Sequence, residues 1–132
     1  MTGQENYNEL YDIAVRAREN ASARYSNFKV GAAIRAKNGN IYSGSNVESS
    51  SYGLSMCAER VALFTALNNG EKEFDSILIV ADSSIPTSPC GACRQLLFDY
   101  APNIVIVMSN LKKDKTVDSI KNLLIKPFSL DN

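Results

Sequence analysis

All three cysteines of this 132-residue chain fall in two short stretches, Ser55-Met56-Cys57-Ala58-Glu59-Arg60 and Pro89-Cys90-Gly91-Ala92-Cys93-Arg94-Gln95, and the chain has no histidine. Each stretch opens an apolar run that reads as a helix. Three thiols and a carboxylate therefore gather at two helix starts, where the dipole and the free N–H groups favour anions and lower thiol pKa values toward the thiolates that a metal requires. Three protein ligands with a fourth position left for water is the arrangement of catalytic zinc. Three thiolates on Zn²⁺ leave a net negative charge, which weakens the metal as a Lewis acid. Arg60 and Arg94, each close to a ligand, are the candidates to offset it. Glu59, two residues after a ligand, can reach the activated water without binding the metal and can move its proton.

Plainer readings compete with this one. A lone C-x-x-C is a weak signal, because half of a structural zinc knuckle or a redox pair has the same spacing. A closed structural site needs four Cys or His ligands, more than one copy of this chain supplies. A redox pair at Cys90 and Cys93 leaves Cys57 idle and Glu59 unexplained. A structural cluster completed by a carboxylate or by a second chain stays open at this point. So do surface roles for Arg60 and Arg94, the site role being the better supported for Arg60.

The totals describe one domain, residues 1–132, with an ordinary share of apolar residues at 45% and of charged residues at 21%. Formal net charge is zero, and no Lys/Arg-rich stripe offers a nucleic-acid footprint. No stretch approaches the ~20 apolar residues of a membrane span. The opening residues, MTGQENYNEL, lack the basic and apolar regions of a signal peptide. An odd number of cysteines without such a signal points to a reducing compartment and to metal or catalytic use of the thiols.

The positioning elements follow from periodicity. Residues 5–21 read as an amphipathic helix with Leu10, Ile13, Ala14, Ala17 and Ala21 on one face. Residues 28–34 alternate as a strand, Asn38-Gly39 supplies a two-residue hairpin turn, and 41–45 return as the partner strand. A polar loop, 46–53, carries Asn46 and Glu48 to the same end as Cys57. Residues 57–69 form a helix apolar nearly all round, which belongs at the centre of a fold or in a subunit interface. Strands at 76–80 and 103–108 flank a loop at 82–88 and a second cysteine helix at 91–100. A charged turn at 112–114, an edge strand at 116–120 and a helical turn at 123–125 complete an α/β domain with a hairpin and βαβ crossovers.

Zinc deaminases that act on bases carry H-x-E followed by P-C-x-x-C, with a three-cysteine variant. Cys57-Ala58-Glu59 and Pro89-Cys90-Gly91-Ala92-Cys93 match that variant. Tyr25-Ser26-Asn27-Phe28-Lys29-Val30-Gly31, Asn46-Val47-Glu48-Ser49-Ser50-Ser51-Tyr52, Cys57 to Arg60, Ser88 to Gln95, Leu123-Leu124 and Phe128 together resemble the short, homotetrameric class of the cytidine deaminase family along nearly the whole chain. The resemblance implies a three-layer α/β/α fold with a mixed sheet of about five strands and helices on both faces. It implies one Zn²⁺ per subunit on Cys57, Cys90 and Cys93, with Glu59 as the proton shuttle. It assigns Asn46 and Glu48 to the ribose 3′-hydroxyl, Phe28 to stacking on the pyrimidine, and backbone groups of Ala58 and Glu59 to the base edge. It also implies that Ser50, Tyr52 and Phe128 complete a neighbouring subunit's site. The implied reaction converts cytidine and deoxycytidine to uridine and deoxyuridine in pyrimidine salvage, with zinc-activated water as nucleophile. Ser49 stands where the family commonly has asparagine, and Ile125-Lys126-Pro127 displaces a proline that usually follows the leucine pair. A deaminase of another cytosine compound, such as blasticidin S, is the nearest rival. A polynucleotide deaminase is disfavoured by the absence of a basic face, and a non-catalytic zinc-stabilised oligomer by Glu59.

Overall fold

The computed structural model describes residues 3–130. Helix α1 (Gly3–Arg18) is followed by strand β1 (Val30–Ala36), strand β2 (Ile41–Ser45), helix α2 (Ala58–Asn68), strand β3 (Phe74–Ala81), helix α3 (Gly91–Tyr100), strands β4 (Val105–Asn110) and β5 (Lys115–Ser119), and the short helix α4 (Ile120–Leu123). The sheet order is β2-β1-β3-β4-β5. β1 runs antiparallel to both neighbours, β3 and β4 are parallel, and β5 is antiparallel to β4.

Side-chain alternation along the strands divides the interior into two cores. Ala33, Leu78, Val80 and Val107 face α1 and pack on its Leu10 and Ala14. Ala32, Ile34, Ile79, Ile106 and Met108 face the other way and pack on Ala62, Leu63 and Ala66 of α2 and on Leu97 of α3. This is the expected three-layer α/β/α arrangement with a mixed five-stranded sheet. Arg35, largely buried on the α1 face, ties that helix down through Glu9 (Nη2 to Oε1, 3.0 Å).

Two glycines set the closest approach of the layers. A Cβ on Gly31 would lie 2.0 Å from the Ala14 carbonyl oxygen in α1, and one on Gly44 would lie 2.5 Å from the Ala62 nitrogen in α2. Gly44 pairs with Ala32, the residue after Gly31, so the hairpin is pinched from both faces at neighbouring positions. Gly44→Ala should push α2 away from β2, since backbone atoms offer no rotamer escape. Overpacking of this kind costs ~1–3 kcal/mol, and the melting temperature should drop by roughly 3–10 °C. Zinc affinity should weaken with it, because α2 carries Cys57. Thermal melting and metal titration of the variant check both effects.

Several boundaries differ from the sequence expectation. α1 ends at Arg18 rather than at 21, because residues 19 and 20 turn and Ser22 leaves to form a bridge with Val47. β1 begins at Val30 rather than at 28, because Asn27 takes a left-handed φ of 58° and bends the chain just before Phe28. The hairpin loop is longer than two residues. Only Gly39 of the Asn38-Gly39 pair has positive φ (96°), and its N–H closes the turn on the Ala36 oxygen at 2.9 Å. That is the pattern of a turn followed by a left-handed glycine. β4 runs two residues later than the expected 103–108, since the Ile104 N–H is engaged by the Ala101 oxygen. The last helical turn comes at Ile120–Leu123 instead of 123–125, started by Ser119, whose hydroxyl accepts the Asn122 N–H. Among the described residues no helix is long and apolar enough to cross a membrane.

Candidate active site

β2, β3 and β4 point the same way. α2 and α3 each start beyond the carboxyl end of the preceding strand, on the same side of the sheet, so their N-termini meet. Cys57 is the N-cap of α2 and Cys90 the N-cap of α3, both in extended backbone, and neither thiol bonds back to its helix. The side chain of an N-cap ordinarily accepts a helical N–H; here the sulfurs turn toward each other instead. Cys57 Sγ and Cys90 Sγ are 3.7 Å apart, Cys90 Sγ and Cys93 Sγ 3.3 Å, and all three lie within 4.8 Å of one another. Sulfurs bound tetrahedrally at about 2.3 Å from one zinc ion stand about 3.8 Å apart, so the cluster has the size and donor set for zinc.

Without a metal, this cluster cannot hold three negative charges side by side. The Cys57 thiol is pulled down to about 5, chiefly by its hydrogen bond with Cys93 and then by Arg60, against the effect of burial. The same bond to Cys57, together with burial, pushes Cys93 up. A divalent cation removes this conflict by stabilising all three thiolates at once.

The two arginines have separate jobs. Arg60 Nη2 donates to Cys57 Sγ at 3.6 Å and brings positive charge to the cluster. Arg94 touches no sulfur among its hydrogen-bond partners: Nε reaches the Pro89 oxygen (2.9 Å), Nη1 the Leu123 oxygen (2.8 Å) and Nη2 Ser88 Oγ (2.8 Å). It braces the loop that presents Cys90 and ties it to the end of α4. Arg60→Gln should weaken zinc retention or turnover about 10- to 100-fold, the usual scale for an outer-shell partner, with little change in far-UV circular dichroism. Unchanged zinc content and rate would remove Arg60 from the chemistry of the site.

Glu59 sits in the first turn of α2 and is only 5% exposed. Burial, reinforced by the charge on Cys57, pushes its carboxyl up to about 7. A group that titrates there can take a proton and give it back at neutral pH, which is what a shuttle needs. Its side chain faces a cavity of about 340 Å³, whose wall also includes Phe28, Asn46, Glu48, Cys57, Ala58 and Cys90. The expected metal, proton-transfer and substrate residues of one chain thus come together. Phe28 is 43% exposed at the cavity rim.

Asn46 is buried and works as a substitute strand. Its Oδ1 accepts the Val30 N–H (2.9 Å) and its Nδ2 donates to the Phe28 oxygen (2.9 Å). Glu48 Oε1 accepts the N–H groups of Tyr25 and Ser26, both at 3.0 Å. The two residues therefore shape the Phe28 loop as well as facing the cavity. Tyr52 lines an adjoining hollow with Tyr25, Ser26 and Glu48, and its ring is 84% exposed. Ser50 is exposed, and neither it nor Phe128 lines the cavity. Phe128 lies against α3, where its oxygen accepts from Gln95 Nε2 (2.9 Å). Ser49 is absorbed into its own loop, giving its N–H to Ser55 Oγ and accepting that of Ser51.

Sequence reasoning gave no role to Ser26, Thr87 or Ser88, all of which line the cavity. Thr87 is held by its N–H on the Ser109 oxygen (3.1 Å) and by Ser83 Oγ (3.0 Å). Nothing in the spacing of a loop read as 82–88 singles it out.

Known proteins give the same reading. Residues 4–109 match the family model described as the cytidine and deoxycytidylate deaminase zinc-binding region. The cytidine deaminase of Sporosarcina psychrophila is 42% identical over 118 residues, 89% of this chain and 87% of that one. The blasticidin-S deaminase of Bacillus cereus is 40% identical over 119 residues, 82% of this chain and 83% of its own. A crystal structure of cytidine deaminase from Burkholderia pseudomallei superposes with a TM-score of 0.90 at 44% identity, covering 97% of this chain and 100% of that one. With a sulfur triad of zinc dimensions inside the matched region, this chain belongs to the zinc-binding cytidine and deoxycytidylate deaminase family.

Proposed function

We propose that this protein hydrolyses cytidine and deoxycytidine to uridine and deoxyuridine, releasing ammonia, as a step of pyrimidine salvage in the cytoplasm. The observation that carries the reading is the cavity itself. Its lining holds a buried carboxylate, two sulfurs of the zinc-sized triad, an aromatic ring, an amide and a second carboxylate. In the reaction a C4–O bond forms from water and the C4–N4 bond breaks. Zinc, when held by Cys57, Cys90 and Cys93, one ion per subunit, supplies the Lewis acidity that makes water a nucleophile at neutral pH. Glu59 takes the proton that water loses and places it on N3, then takes the proton of the new C4 hydroxyl and delivers it to the departing amine as the C4 carbonyl forms. Backbone groups of Ala58 and Glu59 hold the base edge, Phe28 stacks on the ring, and Asn46 and Glu48 meet the sugar 3′-hydroxyl.

A blasticidin-type substrate is the second reading, favoured by the similarity to the Bacillus cereus enzyme. Asn46 and Glu48 line the same cavity, and an amide and a carboxylate able to bond a sugar hydroxyl favour the nucleoside. The deciding experiment follows the absorbance of cytidine, blasticidin S and free cytosine in parallel, with zinc measured on the same sample. Cytidine should be consumed fastest and cytosine poorly. Equal turnover of cytosine would remove the sugar contacts from the reading.

Assembly is part of the proposal. The chemistry is carried on one domain, residues 1–132, and four copies associate. Val61, Phe64 and Leu67 on α2 stay only half-buried within one chain, while Tyr52, Leu54 and Phe128 are well exposed, so apolar surface remains for neighbours to cover. Ser50, Tyr52 and Phe128 then complete the site of an adjacent subunit. Phe128→Ala should raise KM for cytidine several-fold with zinc retained. On dilution, activity should fall together with mass measured by light scattering. A fully active monomer would overturn the shared site.

A further inference from the structure

Ser26 stands between two groups assigned to substrate. Its hydroxyl donates to Glu48 Oε2 and at the same time accepts the Phe28 N–H at 3.0 Å. The other oxygen of Glu48, Oε1, is fixed by the N–H groups of Tyr25 and Ser26. Two peptide donors on one oxygen make a pivot. They do not define where the second oxygen points, because the carboxylate can still swing about that anchored end. Asn46 Nδ2 approaches Oε2 only at 3.5 Å, so the Ser26 hydroxyl is its close protein donor. A carboxylate oxygen accepts in two directions: Oε2 uses one for Ser26, and the other, met only by the long Asn46 contact at 3.5 Å, is the one a hydroxyl in the cavity can take over. These bonds, that of the Ser26 hydroxyl above all, hold the Glu48 carboxyl below the usual carboxylate range, so the group stays an acceptor at neutral pH. Through its second bond the same hydroxyl sets the backbone of Phe28, whose ring lies on the cavity rim.

We infer that Ser26 is a positioning residue for sugar recognition: it aims Glu48 Oε2 at the substrate hydroxyl and locks the Phe28 loop to that aim. The inference rests on the sugar-contact reading of Glu48 given above. Its two bonds give the Ser26 hydroxyl separate effects. Loss of the bond to Glu48 disturbs only substrates that carry the hydroxyl. Loss of the bond to Phe28 disturbs every substrate with a pyrimidine ring.

The test is a substrate cycle on the zinc-loaded enzyme. kcat and KM are measured for cytidine and 3′-deoxycytidine with the parent, Ser26→Ala, Ser26→Thr and Glu48→Ala, with zinc content and melting temperature recorded for each. Ser26→Ala should raise KM for cytidine more than it lowers kcat. It should reduce the preference for cytidine over 3′-deoxycytidine roughly tenfold, the scale of one hydrogen bond to a charged group. Ser26→Thr keeps the hydroxyl and should keep the preference. Glu48→Ala should abolish it. If Glu48→Ala lowers the preference and Ser26→Ala leaves it at the parent value, the positioning role is wrong while the sugar contact stands. If Glu48→Ala leaves the preference unchanged, the sugar-contact reading fails, and the inference with it. A Ser26→Thr enzyme that is folded and loaded but has lost the preference also overturns the role of the hydroxyl.

Discussion

Replacing Glu59 by glutamine should leave a folded, zinc-loaded protein whose turnover is lower by a factor on the order of 10²–10⁴, the usual contribution of a positioned proton-transfer group. The amide has the size and shape of the acid but cannot shuttle a proton. KM should change far less than kcat, and the acid limb of the pH–rate profile that reports ionisation of Glu59 should vanish. A second readout needs no substrate. In the metal-free protein, burial raises the Glu59 carboxyl from 4.5 to about 7, so between those values the folded chain keeps a proton that the unfolded chain has lost. Stability therefore falls as the pH rises through this window. Glu59→Gln removes that dependence, so the metal-free variant should melt higher than the metal-free parent above pH ~7, the gain fading toward pH ~4.5. Near-parental turnover in a loaded Gln variant would take Glu59 out of the mechanism.

Removal of one ligand should be at least as severe. Cys93 is the buried member of the triad, 1% exposed. In Cys93→Ala two thiols remain on separate helices, too few for the three-ligand site of a catalytic zinc. The variant should purify with well under one zinc per chain and lose activity by a factor of ~10³ or more, since the nucleophile proposed above depends on the metal. Metal and stability are linked. A ligand at a thousand times its dissociation constant stabilises the folded state by ~4 kcal/mol, and Cys57 and Cys90 are 33 positions apart in the chain. A chelator should therefore lower the melting temperature of the parent by several degrees and leave that of Cys93→Ala unmoved. Metal analysis and melting curves with and without chelator decide it. Stoichiometric zinc in an active Cys93→Ala protein would refute the ligand assignment.

The grouping of thiols and carboxylate was legible because it is local. Cys57 and Glu59 lie within one helical turn, as do Cys90 and Cys93, and the helix starts that place them follow from the apolar runs behind them. The alternating strands and both crossover helices were legible for the same reason. What escaped depends on partners distant in sequence. Asn46 takes the place of a missing strand across from Phe28 and Val30, and no local pattern tells such an asparagine from one in a solvated loop. Ser26 gains meaning only once Glu48 arrives from 22 positions away. Arg94 resembled Arg60 in sequence, each following a cysteine closely. The oxygens of Pro89 and Leu123, invisible in side-chain patterns, made it a brace. The hairpin shows the limit of dipeptide rules, since Asn38-Gly39 was compatible with more than one loop length and the register of β1 against β2 selected the longer one.

The glycine pinch has a mechanical consequence. Where two helices meet a hairpin through side chains, the gap can adjust, because rotamers exchange and volumes trade. At Gly31 and Gly44 the contact is backbone against backbone on both faces, and the spacing there behaves as a fixed stop. The three layers then act like leaves bound along one edge. A disturbance at the opposite end, around Phe74 or the Lys37–Asn40 loop, can be taken up by a slight splay of the leaves about this bound edge. A splay displaces atoms in proportion to their distance from the fulcrum. Cys57 and Glu59 emerge from the helix that is clamped at Ala58 and Ala62, so they lie almost on the fulcrum and move least. The fold thus isolates the start of α2, with Cys57 and Glu59, from repacking in its own core by leverage, with two residues that have no side chain.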